Sequence, residues 1–301
     1  MINLSQNKLN LNYFLIFYFS LIHGLFLNGL PYIFQVKLYT LMWSSFISII
    51  SGIGITVGAH RLWAHKSFEA SLSLRFLLMI FNSIANQSTI YTWARDHRIH
   101  HKYTETNADP YNSRNGFFYS HIGWLLLKRS PEVKEAEETI LVYDLDNDLP
   151  VQIQKKLNPG FQLFLCFIFA PYIPYYMWNE DFMKSFYVVG IIRYVISLHA
   201  TWSVNSFAHL YGDQPYDDNI HARENIYVSI GALGEGWHNW HHKYPFDYAA
   251  SEFGITQQFN PSKLFIDFFA YMGHVKNRKR ATSVWERQKI KKREIKNESD
   301  L

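Results

Sequence analysis

Three long stretches of this chain carry no charge, and nothing else constrains its fold as strongly. No Asp, Glu, Lys or Arg occurs between Lys8 and Lys37, within Leu38–Ala59, or between Lys156 and Glu180. Each exceeds the ~20 apolar residues needed to cross a hydrocarbon layer. The third ends in an aromatic belt of Tyr172, Tyr175, Tyr176 and Trp178, as interfacial segments do. A fourth stretch, about Phe186–Val204, is interrupted by Arg193, which should face the protein interior or snorkel. The expected fold is all-α and integral to a membrane, a single domain over 1–301. Its four transmembrane helices are expected at about 11–31, 38–59, 157–179 and 186–204, and a helical cap is expected from 60–156 and 205–301. The first stretch is too long for a signal-peptide core and lacks an A-x-A site, so it reads as a retained helix.

Basic residues orient these spans. The loops Pro31–Lys37 and Glu180–Lys184 carry one Lys each, whereas 61–156 holds twelve Lys and Arg and 205–301 holds thirteen. The positive-inside rule places both large polar parts and both termini in the cytosol. Residues 72–92 are apolar but broken by Arg75, Asn82 and Asn86, which suits an interfacial helix better than a fifth span. The basic tail 276–301 suits a solvated or headgroup-facing run, and a nucleic-acid role is not expected. The single Cys166 excludes an intrachain disulfide framework.

This topology gathers three histidine clusters on one side of the membrane: His60 with His65; His97, His100 and His101; and His238, His241 and His242. The two tight clusters read H-x-x-H-H, which on a helix brings the rings onto one face, close enough to share a metal ion. Eight imidazoles exceed one ion's needs, so two metals are implied. No H-E-x-x-H occurs, which removes zinc-protease chemistry. Di-iron bundles rich in carboxylates use Glu and E-x-x-H ligands; neutral imidazoles instead leave a metal pair strongly positive, suited to O2 activation against an unactivated lipid C–H bond. Asp96, Glu105, Asp109, Glu235 and Asp247 flank the clusters and are candidates to orient ligand rings. His60 and His65 fall ~140° apart on a regular helix. Either the helix ends near Arg61–Trp63, or the two rings serve different metals. Ser48, Gly52, Thr56 and His60 form a small-residue stripe, ~18 Å of helix rise, readable as a tunnel wall or as a helix-packing face.

Gly58-Ala-His-Arg-Leu-Trp-Ala-His65, Trp93-Ala-Arg-Asp-His-Arg-Ile-His-His101 and Gly234-Glu-Gly-Trp-His-Asn-Trp-His-His242 resemble the three histidine boxes of membrane acyl-CoA desaturases. Gly116–Trp124, Thr201–Gly212, Asn260-Pro261 and Phe265–Asp267 extend the resemblance over residues of about 11–280, nearest the stearoyl-CoA, Δ9-type branch with its insect members. The resemblance implies a ninth ligand, His209, and Asn205 reaching a metal through water. It gives no ligand role to His121, read as structural, or to His199; His23, His221 and His274 are likewise left without one. It implies two iron ions, a long-chain acyl-CoA substrate, O2, and an endoplasmic-reticulum location. No His-Pro-Gly-Gly segment occurs in the tail, so a separate cytochrome b5 and its reductase are the expected electron donors. Substrate contacts are implied at Arg95, Asp96, Lys128 and Arg129 for the CoA, and at Gln87 and Trp202 near a tunnel bend. Ser48 and Gly52 join them if the stripe is a tunnel wall. Rival readings are a hydroxylase or acetylenase built on the same iron site, an inactive desaturase-like scaffold, and, more distantly, a bis-His haem protein.

Overall fold

The structure, a computed structural model, describes residues 10–299; the expected extreme termini, 1–9 and 300–301, lie outside the described residues. Among the described residues, four helices are long and apolar enough to cross a membrane: Tyr13–Phe34, Leu38–Ala64, Gly160–Trp178 and Phe182–Leu210. The first begins where the Asn12 side chain accepts a hydrogen bond from the Leu15 N–H at 3.3 Å. The second and fourth run past their expected ends at 59 and 204. At 27 and 29 residues they reach roughly 40 Å, against a hydrocarbon thickness of about 30 Å. Their surplus turns carry His60 and His209, so these two rings belong to the long apolar helices themselves rather than to separate cap segments.

Two local departures from α geometry matter. From Gly54 to Ala64 the second span widens to i→i+5 bonding, ending with the His65 N–H on the His60 carbonyl at 3.0 Å. Gly54 permits a close crossing there: a Cβ on it would lie 2.2 Å from the backbone N of Asn82, so any side chain would push the following helix away. In the third span a wide turn at Leu165–Phe169 leads into Pro171 and Pro174, neither of which has an N–H for the regular ladder.

Arg193 turns inward. It is 1% exposed; its Nε donates to the Val189 carbonyl at 2.7 Å and its Nη2 lies 2.9 Å from the Cys166 sulfur. The apolar segment 72–92 is not one helix. It forms Leu72–Ala85, stops at Asn86 and Ser88, both with positive φ, and restarts as Ile90–Tyr103. Leu74, Leu78 and Met79 of the first part pack with Val57, Leu62 and Trp63 of the second span. Apart from the helices, Glu69–Ala70 pairs antiparallel with Val275–Lys276, tying the start of the cap to its end.

Candidate metal centre and adjoining cavity

Nine histidine rings converge in two sets. His60, His65, His97, His101 and His241 form one; His100, His209, His238 and His242 form the other; within each set the candidate ligand atoms all lie within 4.8 Å of one another. The tight clusters are therefore split, which corrects the expectation that each supplies three rings to one ion. In Ile90–Tyr103, His97 and His101 (i and i+4) face the five-ring set while His100 crosses to the four-ring set. In His238–Lys243 the sense is reversed: His238 and His242 join the four-ring set and His241 crosses over. The rings of i+3 and i+4 diverge around the helix axis, wide enough to reach two centres.

His60 and His65 serve the same set, so the alternative that they reach different centres fails, while the helix ends beside Arg61–Trp63, at Ala64. The wide turn explains how the rings meet. Under i→i+5 bonding, residues five apart stack one above the other, and the two ring centroids lie 4.8 Å apart.

The convergent atoms are Nε2 nitrogens: His60–His241 3.0 Å, His65–His97 2.8 Å, His101–His241 3.0 Å, His100–His242 3.2 Å and His209–His238 3.1 Å. Burial, reinforced by the neighbouring imidazoles, pushes His65, His97, His101, His241 and His242 well below the ordinary imidazole value, and His238 to about 3. A neutral ring can present its Nε2 lone pair inward, and the Nδ1 atoms of His209, His238 and His241 are buried without a hydrogen-bond partner. His60 Nδ1 lies 2.9 Å from Glu235 and His100 Nδ1 lies 2.9 Å from Asp109, which fixes both tautomers with the proton outside. Lone pairs packed at these distances repel unless a cation sits among them, so the donor set fits two metal ions. Of the five flanking acids, only Glu235 and Asp109 take the orienting role. Asp96 pairs with Arg95 and Arg129, Glu105 with Arg114, and Asp247 with Arg280.

Arg61, which the histidine spacing does not mark, belongs to the site as well. Fully buried, it donates from Nε and Nη2 to Glu235 Oε1 at 3.0 and 2.8 Å, and from Nη1 to the Tyr248 carbonyl at 3.2 Å. Burial alone would raise the Glu235 pKa; the Arg61 charge, then His60, holds it down at about 2. Gly234 and Gly236 make this approach possible. A Cβ on Gly236 would sit 2.1 Å from the Asn225 carbonyl oxygen, and Gly234 has a φ of +104°. The signal for Arg61 was its place: an arginine directly after a ligand, inside an otherwise uncharged helix.

A cavity of about 350 Å3 runs from the rings down between the second and fourth spans. Ser48, Gly52, Thr56 and His60 all line it, so the small-residue stripe is a cavity wall, and Asn205 lines it beside His100 and His238. Gln87 and Trp202 are not on its wall. Gln87 donates to Ser197, which is, and Trp202 is 4% exposed among Phe19, His23, His121 and His199. Trp93 and Thr201 take the wall positions instead. Arg95 and Arg129 alternate with Asp96 and Glu137 in one ion-pair cluster, while Lys128 is exposed. Lys128 and Arg129 also line a second cavity of about 220 Å3. His121 stands apart from both ring sets, bonded to Ser206 at 2.8 Å and His199 at 2.9 Å; His23 completes that chain, while His221 and His274 also lie outside the sets.

Comparison with known proteins gives a consistent picture. The family model described as fatty acid desaturase matches residues 36–253. Stearoyl-CoA desaturase 5 of Bos taurus is 46% identical over 267 residues, covering 89% of this chain and 79% of that protein. Stearoyl-CoA desaturase of Homo sapiens is 48% identical over 263 residues, covering 87% and 73% respectively.

Proposed function

The chain belongs to the fatty acid desaturase family and is an oxidoreductase of the acyl-CoA desaturase class. On that premise we propose that it inserts a cis double bond, at Δ9, into a long-chain acyl-CoA. The balance is –CH2–CH2– plus O2, two electrons and two protons, giving –CH=CH– and two waters. One observation carries the reading: nine imidazoles in a five-plus-four arrangement stand at the head of an apolar cavity between two spanning helices.

These nine rings would hold two iron ions, with Asn205 as a further residue reaching one of them through water, and the metals would supply the power to oxidise an unactivated C–H bond. The chain's own residues do the rest. Glu235 and Asp109 keep the His60 and His100 protons on the outer nitrogens, so the inner lone pairs stay free for metal. Neutral donors would leave the charge of bound cations uncompensated, which would favour a strongly oxidising centre. The stripe Ser48–Gly52–Thr56 holds the acyl chain against Thr201 and Val204, and its close walls exclude water from the reacting carbons. Arg95, Asp96, Lys128 and Arg129 hold the CoA phosphates and adenosine at the cap. Gln87 acts on the chain through Ser197, and Trp202 backs the same helix from its far side. The protein lies in the endoplasmic-reticulum membrane with cap and termini cytosolic, where cytochrome b5 and its reductase deliver the electrons.

Expression in a desaturase-deficient yeast, with mass-spectrometric location of the double bond, tests this. A Δ9 cis-alkene and restored growth are expected. A hydroxy or acetylenic product, or no product from iron-loaded protein, overturns it.

A further inference from the structure

The cavity is not closed on the side away from the metal centre. Ile49 of the second span and Ile196 of the fourth both line it, yet they are 50% and 56% exposed. Ser45, below Ile49 on the same helix, and Gly231 also line it and are exposed. Near the metal the wall is tight by contrast: His60 is 4% exposed and Ala232 7%. The open side therefore lies between two helices read as spanning, roughly 15–20 Å along them from the ligands His60 and His209.

The medium outside this gap is lipid hydrocarbon, and the passage itself is apolar. Three of its hydroxyls are turned away into their own helices: Ser45 donates to the Leu41 carbonyl at 3.0 Å, Ser48 to the Ser44 carbonyl at 3.0 Å and Thr201 to the Ser197 carbonyl at 3.2 Å. A methylene moving from this lumen into acyl tails exchanges one apolar surrounding for another, without the penalty that water would impose.

We propose that the cavity opens sideways into the bilayer between the second and fourth spans, with Ile49 and Ile196 as the two posts of a mouth through which the methyl end of the acyl chain passes. The proposal rests on the acyl-CoA reading: the headgroup stays at the cap cations, so the methyl end is the end that reaches the mouth. It makes the far wall a passage rather than a stop, and it makes Ile49 and Ile196 specificity-determining residues for long chains.

The test places a fluorophore on Ile196→Cys or, separately, on Ile49→Cys, in otherwise intact, metal-loaded protein in bilayers; Met42→Cys is the control. Met42 is 61% exposed on the second span and does not line the cavity. Acyl-CoAs of 16 to 24 carbons carrying bromine on the terminal carbon are the probes. Beyond a threshold length they are expected to quench the mouth labels at least twofold while leaving the control unchanged. Brominated phospholipid is expected to quench all three sites. If the brominated acyl-CoAs compete with substrate for binding but quench neither mouth label at any length, the passage is refuted. If none of them binds at all, the acyl-CoA reading fails instead. Two posts on different helices keep the test decisive should one variant misfold.

Discussion

Asp109→Asn should unload one metal site and spare the other. Asp109 is 2% exposed. Its Oδ1 accepts from His100 Nδ1–H at 2.9 Å and from the Tyr111 N–H at 3.2 Å, and its Oδ2 accepts from the Glu105 N–H at 3.0 Å. An asparagine that keeps its oxygen toward His100 must turn its NH2 against the Glu105 N–H, donor against donor, at about 1–3 kcal/mol of folding stability. His100 retains an acceptor but loses the charge that makes its ring a stronger donor to metal. Losing such an outer partner weakens metal binding about 10–100-fold, or about 1.4–2.8 kcal/mol. His100 serves the four-ring set, so the loss should fall there. Glu235→Gln is the mirror experiment, acting through His60 on the five-ring set. Anaerobic titration of the metal-free variants with Fe2+ should show one weakened and one unchanged site in each, and competition with a chelator of graded strength should rank them. Equal weakening of both sites in both variants, or none in either, would refute the assignment of one carboxylate to each centre.

Other perturbations follow from the same geometry. Gly52→Leu should shift the preferred substrate to shorter chains, because a Cβ at Gly52 already lies 2.7 Å from Leu233 Cδ1 and the added bulk must enter the cavity; an unchanged chain-length profile counts against the stripe as an acyl wall. Arg61→Met strands the buried Glu235 carboxylate and should cost about 3–5 kcal/mol, read as a large fall in thermal midpoint of the purified protein; an unaltered midpoint refutes it. Burial raises the Glu224 pKa to about 8, against 4.5 unperturbed. The folded state thus holds a proton that the unfolded chain has released between those values, and Glu224 costs stability increasingly as pH rises from 4.5 to 8. Glu224→Gln keeps the oxygen that accepts the Trp240 N–H at 2.9 Å, so it should stabilise by roughly 1–2 kcal/mol at pH 8 and by little at pH 4.5; equal melting shifts at both pH values contradict this.

Much of the architecture was readable in the residues. Uncharged runs longer than a hydrocarbon layer found three spans and an apolar stretch interrupted by Arg193 found the fourth, while histidine spacing with charge asymmetry found eight of the nine rings that converge. The ninth, His209, came from resemblance, because a single ring on a spanning helix carries no spacing signal. What sequence periodicity hides is hydrogen-bond geometry. Nothing in Gly54–Ala64 announces i→i+5 bonding, and without it His60 and His65 point apart. The splitting of the two H-x-x-H-H clusters was hidden for another reason: a helix face is broad, and which edge of it meets which centre depends on the neighbouring helix. Trp202 and Thr201 show the same limit, since adjacent positions on one helix separate into core and cavity wall.

The crossing-over of His100 and His241 also sets an order of assembly. Every other ring of the five-ring set lies before residue 102, whereas His241 is supplied only near the end of the chain. A growing polypeptide can pair its early histidines but cannot close either centre until the last cluster has emerged. Each centre then borrows one ring from the helix that mainly serves the other. A chain halted before His238 would therefore hold four rings of the five-ring set and two of the four-ring set, with neither set complete.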